Sequence, residues 1–205
     1  KVVISRMYVK KIDNYDEISL WIAEHNQAFK NRKSTNIPYK EVKRENLIID
    51  SNNSILGVYN NDQLLGGAYI SYCIGYGNVK NVKVGHVWIE PRYQKRGVGS
   101  FLIKEIENIA LQDGRELLQL NVANIYLPAV HLYRKNGFKD LIIYANIPRT
   151  YYFIRMIKEV GTYKFSERKR LYMLIKSAII FKILYKRDSS PTMINKMIYG
   201  KEKKY

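Results

Sequence analysis

Val2 to Val9 is a mostly apolar run that reads as a strand, and from Tyr15 to Phe29 the apolar positions recur three and four apart. The chain is therefore expected to open with a strand followed by a helix, and Asp13 or Asn14 supplies a side-chain oxygen for that helix's first N–H groups. Tyr39 to Asp50 is read as a second helix. Ile55 to Tyr59 and Gln63 to Ile74 are β-rich runs joined by Asn60-Asn61-Asp62, the composition of a hairpin. Val82, Val84, His86 and Trp88 alternate with Lys83, Gly85, Val87 and Ile89, and Pro91 then withholds an N–H and stops the ladder. Helical spacing returns at Val98, Phe101, Leu102, Ile106, Ile109 and Ala110 and closes at Asp113-Gly114. Leu117 to Val122 reads as a buried strand. Pro128 opens a helix at its first turn, which Asn136-Gly137 ends. Phe138 to Tyr144 and Tyr151 to Ile157 give two final strands. Strands and helices interleaved in this way define an α/β chain.

The pattern then changes character. Leu171, Leu174, Ile175, Ala178 and Ile179 fall on one helical face, with Arg168, Lys169, Lys176 and Lys182 around them. Ser190-Pro191 breaks this segment, and a second short helix is expected from Thr192 to Tyr199. Residues 1–157 thus read as one domain and 158–205 as a basic helical extension. Charge sharpens the division. The formal net charge is +17, and from Arg155 onward fourteen Lys or Arg face four Asp or Glu. Such a stretch packs its apolar face on the domain, lies on an anionic membrane, binds nucleic acid or forms a dimer contact. Packing within the chain needs no partner, so it is the first expectation.

With 205 residues and 46% hydrophobic content, the chain can bury a full core. No apolar run is long enough to cross a membrane, Lys1-Val2-Val3 does not read as a signal peptide, and a single cysteine permits no internal disulfide. A reducing cytoplasm is the expected location. No His/Cys cluster has metal-ligand spacing, so no metal is expected.

The candidate chemistry lies in Gln94-Lys95-Arg96-Gly97-Val98-Gly99, between the Pro-terminated strand and the amphipathic helix. Glycines at 97 and 99 let the backbone approach a phosphate closely. The helix that follows aims its free N–H groups and positive dipole end at the same anion. The dinucleotide fingerprint does not fit, because only two of its three glycines can be placed. A Walker loop would need Gly-Lys followed by Ser or Thr.

Ile89-x-Pro91-x-Tyr93-Gln94-x-x-Gly97-x-Gly99 resembles the central motif of the GNAT N-acetyltransferase superfamily, and Ala129-x-x-Leu132-Tyr133-x-x-Asn136-Gly137-Phe138 is similar to its later signature. The resemblance implies a GNAT-like fold, a central mixed, mostly antiparallel sheet flanked by helices. It implies acetyl-CoA as co-substrate and an amine-bearing acceptor. In that family the strand before the turn carries a bulge whose freed main-chain groups hold the pantetheine, which here places Val87, Trp88 and Ile89 beside the cofactor. The pyrophosphate would rest on amides from Lys95 to Ser100, including Arg96, Gly97, Val98 and Gly99, with Gln94 at the motif's head and Arg92, Lys95 and Arg96 adding charge. Exposed basic side chains count for less there than the amides.

An amine attacking a thioester builds negative charge on the carbonyl oxygen and then on the departing sulfur, so the site must offer an N–H and a proton. Tyr133 matches the family tyrosine that donates to the thiolate. A phenol of pKa about 10 can protonate a thiolate of pKa about 8.5 with little penalty; a core tyrosine is the alternative. The carboxylate and CoA-contacting Asn that several members carry fall on Asn121 and Tyr126, so neither carries over. Asn124 is the substitute for the cofactor contact. His86 and Glu90 share a face with Trp88, and either can relay the amine's proton through water. Solvent as the base stays open.

The basic surface disfavours polycationic acceptors and favours anionic ones: an amino-sugar nucleotide, a protein N-terminus or an aminoacyl-tRNA. Nucleic acid is a possible partner of the basic tail, and monomer and homodimer are both compatible with the sequence. The competing reading is a non-catalytic acyl-CoA-binding sensor module with an interaction tail.

Overall fold

A computed structural model describes residues 6–30, 41–75, 79–145 and 151–185. Seven strands form one mixed sheet in the order β1-β2-β3-β4-β5-β7-β6. They are β1 (Met7–Ile12), β2 (Asn53–Asn60), β3 (Gln63–Ile74), β4 (Lys80–Ile89), β5 (Leu117–Ala123), β6 (Lys139–Ala145) and β7 (Tyr152–Glu159). The helices are α1 (Tyr15–Lys30), α2 (Val98–Gln112), α3 (Leu127–Lys135) and α4 (Glu167–Tyr185). The pairs β1/β2, β2/β3, β3/β4 and β6/β7 are antiparallel, as the resemblance implied. The chain divides into two compact units, 1–119 and 120–205, with the boundary inside β5.

In the first unit the β2–β3 hairpin turns on Asn61 (φ 46°) and Asp62 (φ 64°), two residue types that tolerate the left-handed region a tight hairpin requires. The opening strand runs from Met7 to Ile12 rather than stopping at Val9, because its pairing with β2 continues to Ile12↔Ile55. Asn14 is the cap of α1. Its Oδ1 accepts the Glu17 N–H at 2.8 Å, and its carbonyl accepts that of Ile18 at 3.1 Å.

The helix expected from Tyr39 to Asp50 is not formed over its described part, residues 41–50, where only a 3-10 turn at Arg44–Asn46 appears. The reason lies on α1. Buried Asn26 donates to the Val42 carbonyl at 2.9 Å and accepts the Val42 N–H at 3.1 Å, taking both backbone groups a helix would have used.

Helix α1 seats on the sheet through Trp21, whose Nε1 donates to the Leu56 carbonyl at 3.2 Å. A Cβ on Gly67 would collide with Trp21 Nε1 and the Leu56 carbonyl, so this strand position needs glycine. Ile12, Ile18, Trp21, Ile55 and Trp88 make the core there. Helix α2 buries Leu102, Ile103 and Ile106 completely, each contributing about 1.5–3 kcal/mol.

In the second unit α4 packs Leu174, Ala178 and Phe181 with Ile143 and Tyr152. Strand β6 ends the sheet, and Ser177 Oγ accepts the Ile143 N–H at 3.1 Å while donating to the Leu174 carbonyl at 2.8 Å. The helix thus covers an edge strand that would otherwise offer open donors. The inner face differs from the expected one. Leu174 and Ala178 are buried, whereas Ile175 and Ile179 point outward, because the spacing that meets the sheet is 174, 178, 181. The second tail helix expected from Thr192 to Tyr199 lies outside the described residues.

Candidate active site

The pairing of β3 with β4 slips between Gly67↔Trp88 and Tyr69↔Gly85, so His86 and Val87 together stand opposite Ala68. This is a β-bulge, and His86 takes φ 49°, a left-handed conformation rare for a residue with a Cβ. It falls in the strand where the family resemblance required freed main-chain groups. Val87 and Ile89 are half-buried beside it, and Trp88 is 1% exposed. Trp88 is a core side chain, edge-on to Trp21 at 6.1 Å, so only its main chain is available to a ligand.

The strand stops at Ile89, and Pro91–Tyr93 forms a 3-10 turn. Gln94 binds the strand end: its Nε2 donates to the Ile89 carbonyl at 2.9 Å. Its side chain thus holds the turn in place instead of reaching for a ligand. Lys95 (φ 58°) and Gly97 (φ 91°) are both left-handed with one residue between them, a form that turns successive N–H groups toward a common centre. Helix α2 begins at Val98 without a side-chain cap, and the Phe101 N–H is bonded to the Gly97 carbonyl at 2.9 Å. The first-turn amides of Val98 and Gly99 precede it, ahead of the first intrahelical acceptor. Lys95 and Arg96 are exposed, and Val98 is buried, offering its amide alone. Bulge, paired positive φ values and uncapped helix start fit a pyrophosphate-bearing thioester such as acetyl-CoA.

Aromatic rings gather on the α1 side of the bulge. Trp21, His25 and Phe29 stack along the helix at 5.3 and 4.5 Å. His86 meets His25 edge-on at 5.4 Å and Tyr69 at 6.1 Å. His86 keeps exposed surface, yet rings crowd its imidazole. That desolvation, with the charge of Lys83 second, pushes its pKa below the usual histidine value. A neutral imidazole is the form that accepts a proton. His25 and Tyr69 were missed in the sequence, where the only signal was the four-residue spacing of Trp21, His25 and Phe29. Glu90 is bound to Arg92 Nε, a contact that raises the arginine's pKa. This pair occupies one carboxylate oxygen of the other base candidate and takes Arg92 away from a phosphate.

Tyr133 and Asn124 belong to the second unit. Tyr133 lies on the inner side of α3, 6% exposed, its ring edge-on to Phe138 at 5.7 Å. Asn136 closes the helix with its side chain on the Leu132 carbonyl at 2.8 Å, and Gly137 follows at φ 87°. The second motif is therefore a helix ending that fixes Tyr133 against Phe138. Asn124 Oδ1 accepts the Tyr152 N–H at 2.9 Å, and Asn121 Oδ1 accepts from Arg155 Nε at 3.0 Å. Among the described residues no group of three His, Cys, Asp or Glu could hold a metal ion. A cavity of about 570 Å³ lies elsewhere, lined by Val9, Lys11, Tyr72 and Asp113 among others, at the opposite end of α2 from the turn.

The pattern of the acetyltransferase (GNAT) family matches residues 15–138, more than half of the chain, and the chain belongs to that family. A thialysine N-epsilon-acetyltransferase of Bos taurus is 33% identical over 73 residues, covering 36% of this chain and 42% of that protein. The chain thus matches less than half the length of these curated relatives. Among solved structures, a GNAT-family acetyltransferase of Streptococcus pneumoniae superposes with TM-score 0.57 at 22% identity, over 76% of this chain and 99% of that one. The Salmonella typhimurium protein yncA, solved with its cofactor acetyl-CoA, superposes with TM-score 0.57 at 15% identity, over 78% and 97%. At these identities the likeness is one of fold.

Proposed function

We propose that the chain is an N-acetyltransferase that uses acetyl-CoA to acetylate a primary amine. The observation that carries this reading is the β4 bulge followed directly by the uncapped start of α2. When bound, acetyl-CoA supplies the activated acyl group. Main-chain groups from Val87 to Ile89 would hold its pantetheine arm, and the amides from Lys95 to Ser100 its pyrophosphate. His86, held neutral by its aromatic surroundings, accepts the proton of the acceptor amine. By its match to the family tyrosine, Tyr133 would supply the proton that the departing thiolate takes up. Glu90 is the weaker base because Arg92 already binds it.

A polycationic acceptor is disfavoured, since Lys83 stands near His86 and the chain carries +17, and anionic acceptors are favoured. Thialysine, named for the relatives, joins amino-sugar nucleotides, peptide N-termini and aminoacyl-tRNA as test acceptors.

The test is thiol release from acetyl-CoA across that panel. Tyr133→Phe should lower turnover by roughly 10²–10⁴-fold with CoA affinity retained, the range for losing a positioned acid. CoA binding without turnover on any acceptor would replace the enzyme by a non-catalytic acyl-CoA sensor.

A further inference from the structure

Four of the large apolar side chains that the described residues leave exposed lie on one helix, α4: Tyr172 at 63%, Ile175 at 43%, Ile179 at 49% and Ile180 at 42%. They stand away from Leu174, Ala178 and Phe181, which pack with Ile143 and Tyr152, so the helix is apolar on two sides. An apolar stripe left in water is costly at about 25 cal/mol per Å² and marks a surface that something covers.

Charge selects the cover. Arg168, Lys169 and Lys176 are exposed and flank the stripe, with Lys176 Nζ 5.7 Å from the centre of the Tyr172 ring. The only acid in the helix, Glu167, is already bound by Arg170 at 2.5 Å and approached by Lys139 at 3.7 Å. An isologous contact with a second copy would bring these cations face to face. A nucleic acid would leave the isoleucines uncovered. An anionic lipid surface takes both halves, with isoleucines at the acyl boundary, tyrosine at the headgroup level and cations on the phosphates. No helix among the described residues is long and apolar enough to span a bilayer, so such a helix lies on the surface.

We propose that the outer face of α4 is a docking surface for anionic phospholipid membranes, with Tyr172, Ile175 and Ile179 entering the interface and Arg168, Lys169 and Lys176 reading its charge.

The experiment is co-sedimentation of the full chain with vesicles of phosphatidylcholine alone and of phosphatidylcholine with phosphatidylserine. Three cations near the surface predict a preference for the anionic vesicles on the order of 100-fold at low salt, which high salt should erase. Ile175→Ser with Ile179→Ser should abolish sedimentation. Arg168→Gln, Lys169→Gln and Lys176→Gln together should remove the preference for anionic lipid. Equal binding to both vesicles, or to neither, would overturn the proposal. So would either of two results with the serine variant in the absence of lipid. A fall in the melting temperature would mean that the chain itself covers the stripe, and conversion of a dimer to a monomer that a second copy does. Retained sedimentation by the serine variant, with RNA competing, would show a purely electrostatic surface and also reject it.

Discussion

At the scale of single residues, the group with the most to decide is His86. Its left-handed backbone places the imidazole against His25 and Tyr69, and its pKa is lowered first by burial and then by Lys83. The sign of the effect follows. A depressed pKa keeps the ring neutral below the ordinary value of about 6.5, so kcat/KM should stay level through neutral pH and fall only as pH passes the lowered value. Lys83→Gln removes one of the two causes and should move this acid limb to higher pH. His86→Asn is the suitable deletion because asparagine tolerates the left-handed region, and it should abolish the limb altogether. Thiol-release rates across an acid pH series read both outcomes, and an unchanged limb in the asparagine variant would remove His86 as the base. The same shift bears on stability. The unfolded chain takes up this proton first, so the histidine's contribution is present above pH about 6.5 and is lost as pH falls through the folded value.

At the scale of elements, the contact between Asn26 on α1 and Val42 explains both a prediction and an error. Two hydrogen bonds with a buried amide hold a segment whose described part carries only the 3-10 turn at Arg44–Asn46. Asn26→Ala should therefore cost about 2 kcal/mol, and lower the melting temperature by roughly 4–8 °C, when read by thermal denaturation. Asn26→Asp would keep the acceptor but set a buried carboxylate oxygen against the Val42 carbonyl, and should cost at least as much. The helix read from Tyr39 to Asp50 failed for the same reason. The partner that claims Val42 stands sixteen residues away, where local sequence carries no information. Strands, hairpin and α2 were legible because each rests on local signals: alternation, Asn61-Asp62 and Pro91. The bulge at His86 was legible only through the family resemblance, since nothing in Gly85-His86-Val87 by itself demands a slipped register. The orientation of α4 was half legible. Both of its sides are apolar, so periodicity could not choose between Ile175 with Ile179 and Ala178 with Phe181.

At the scale of the whole molecule, cofactor binding must appear as stability, because a ligand that binds only the folded chain raises its melting temperature by mass action. At CoA concentrations near 100 times Kd the gain is about 2.7 kcal/mol, which for a chain of 205 residues corresponds to a rise of roughly 5–10 °C. The rise also separates two sources of affinity. Lys95 and Arg96 are exposed, so their share is screened as salt increases. The first-turn amides of α2 are fixed by the backbone, and their share should survive. A melting series in CoA at low and high salt should therefore show a reduced shift that does not vanish. Gly97→Val should abolish the shift at both salt levels, because a β-branched residue is strained at φ 91° and the amides lose their common direction. A shift that disappears in high salt would assign the affinity to the cations. A full shift in the valine variant would show that the cofactor binds without the turn, and the assignment of residues 94–99 would fall with it.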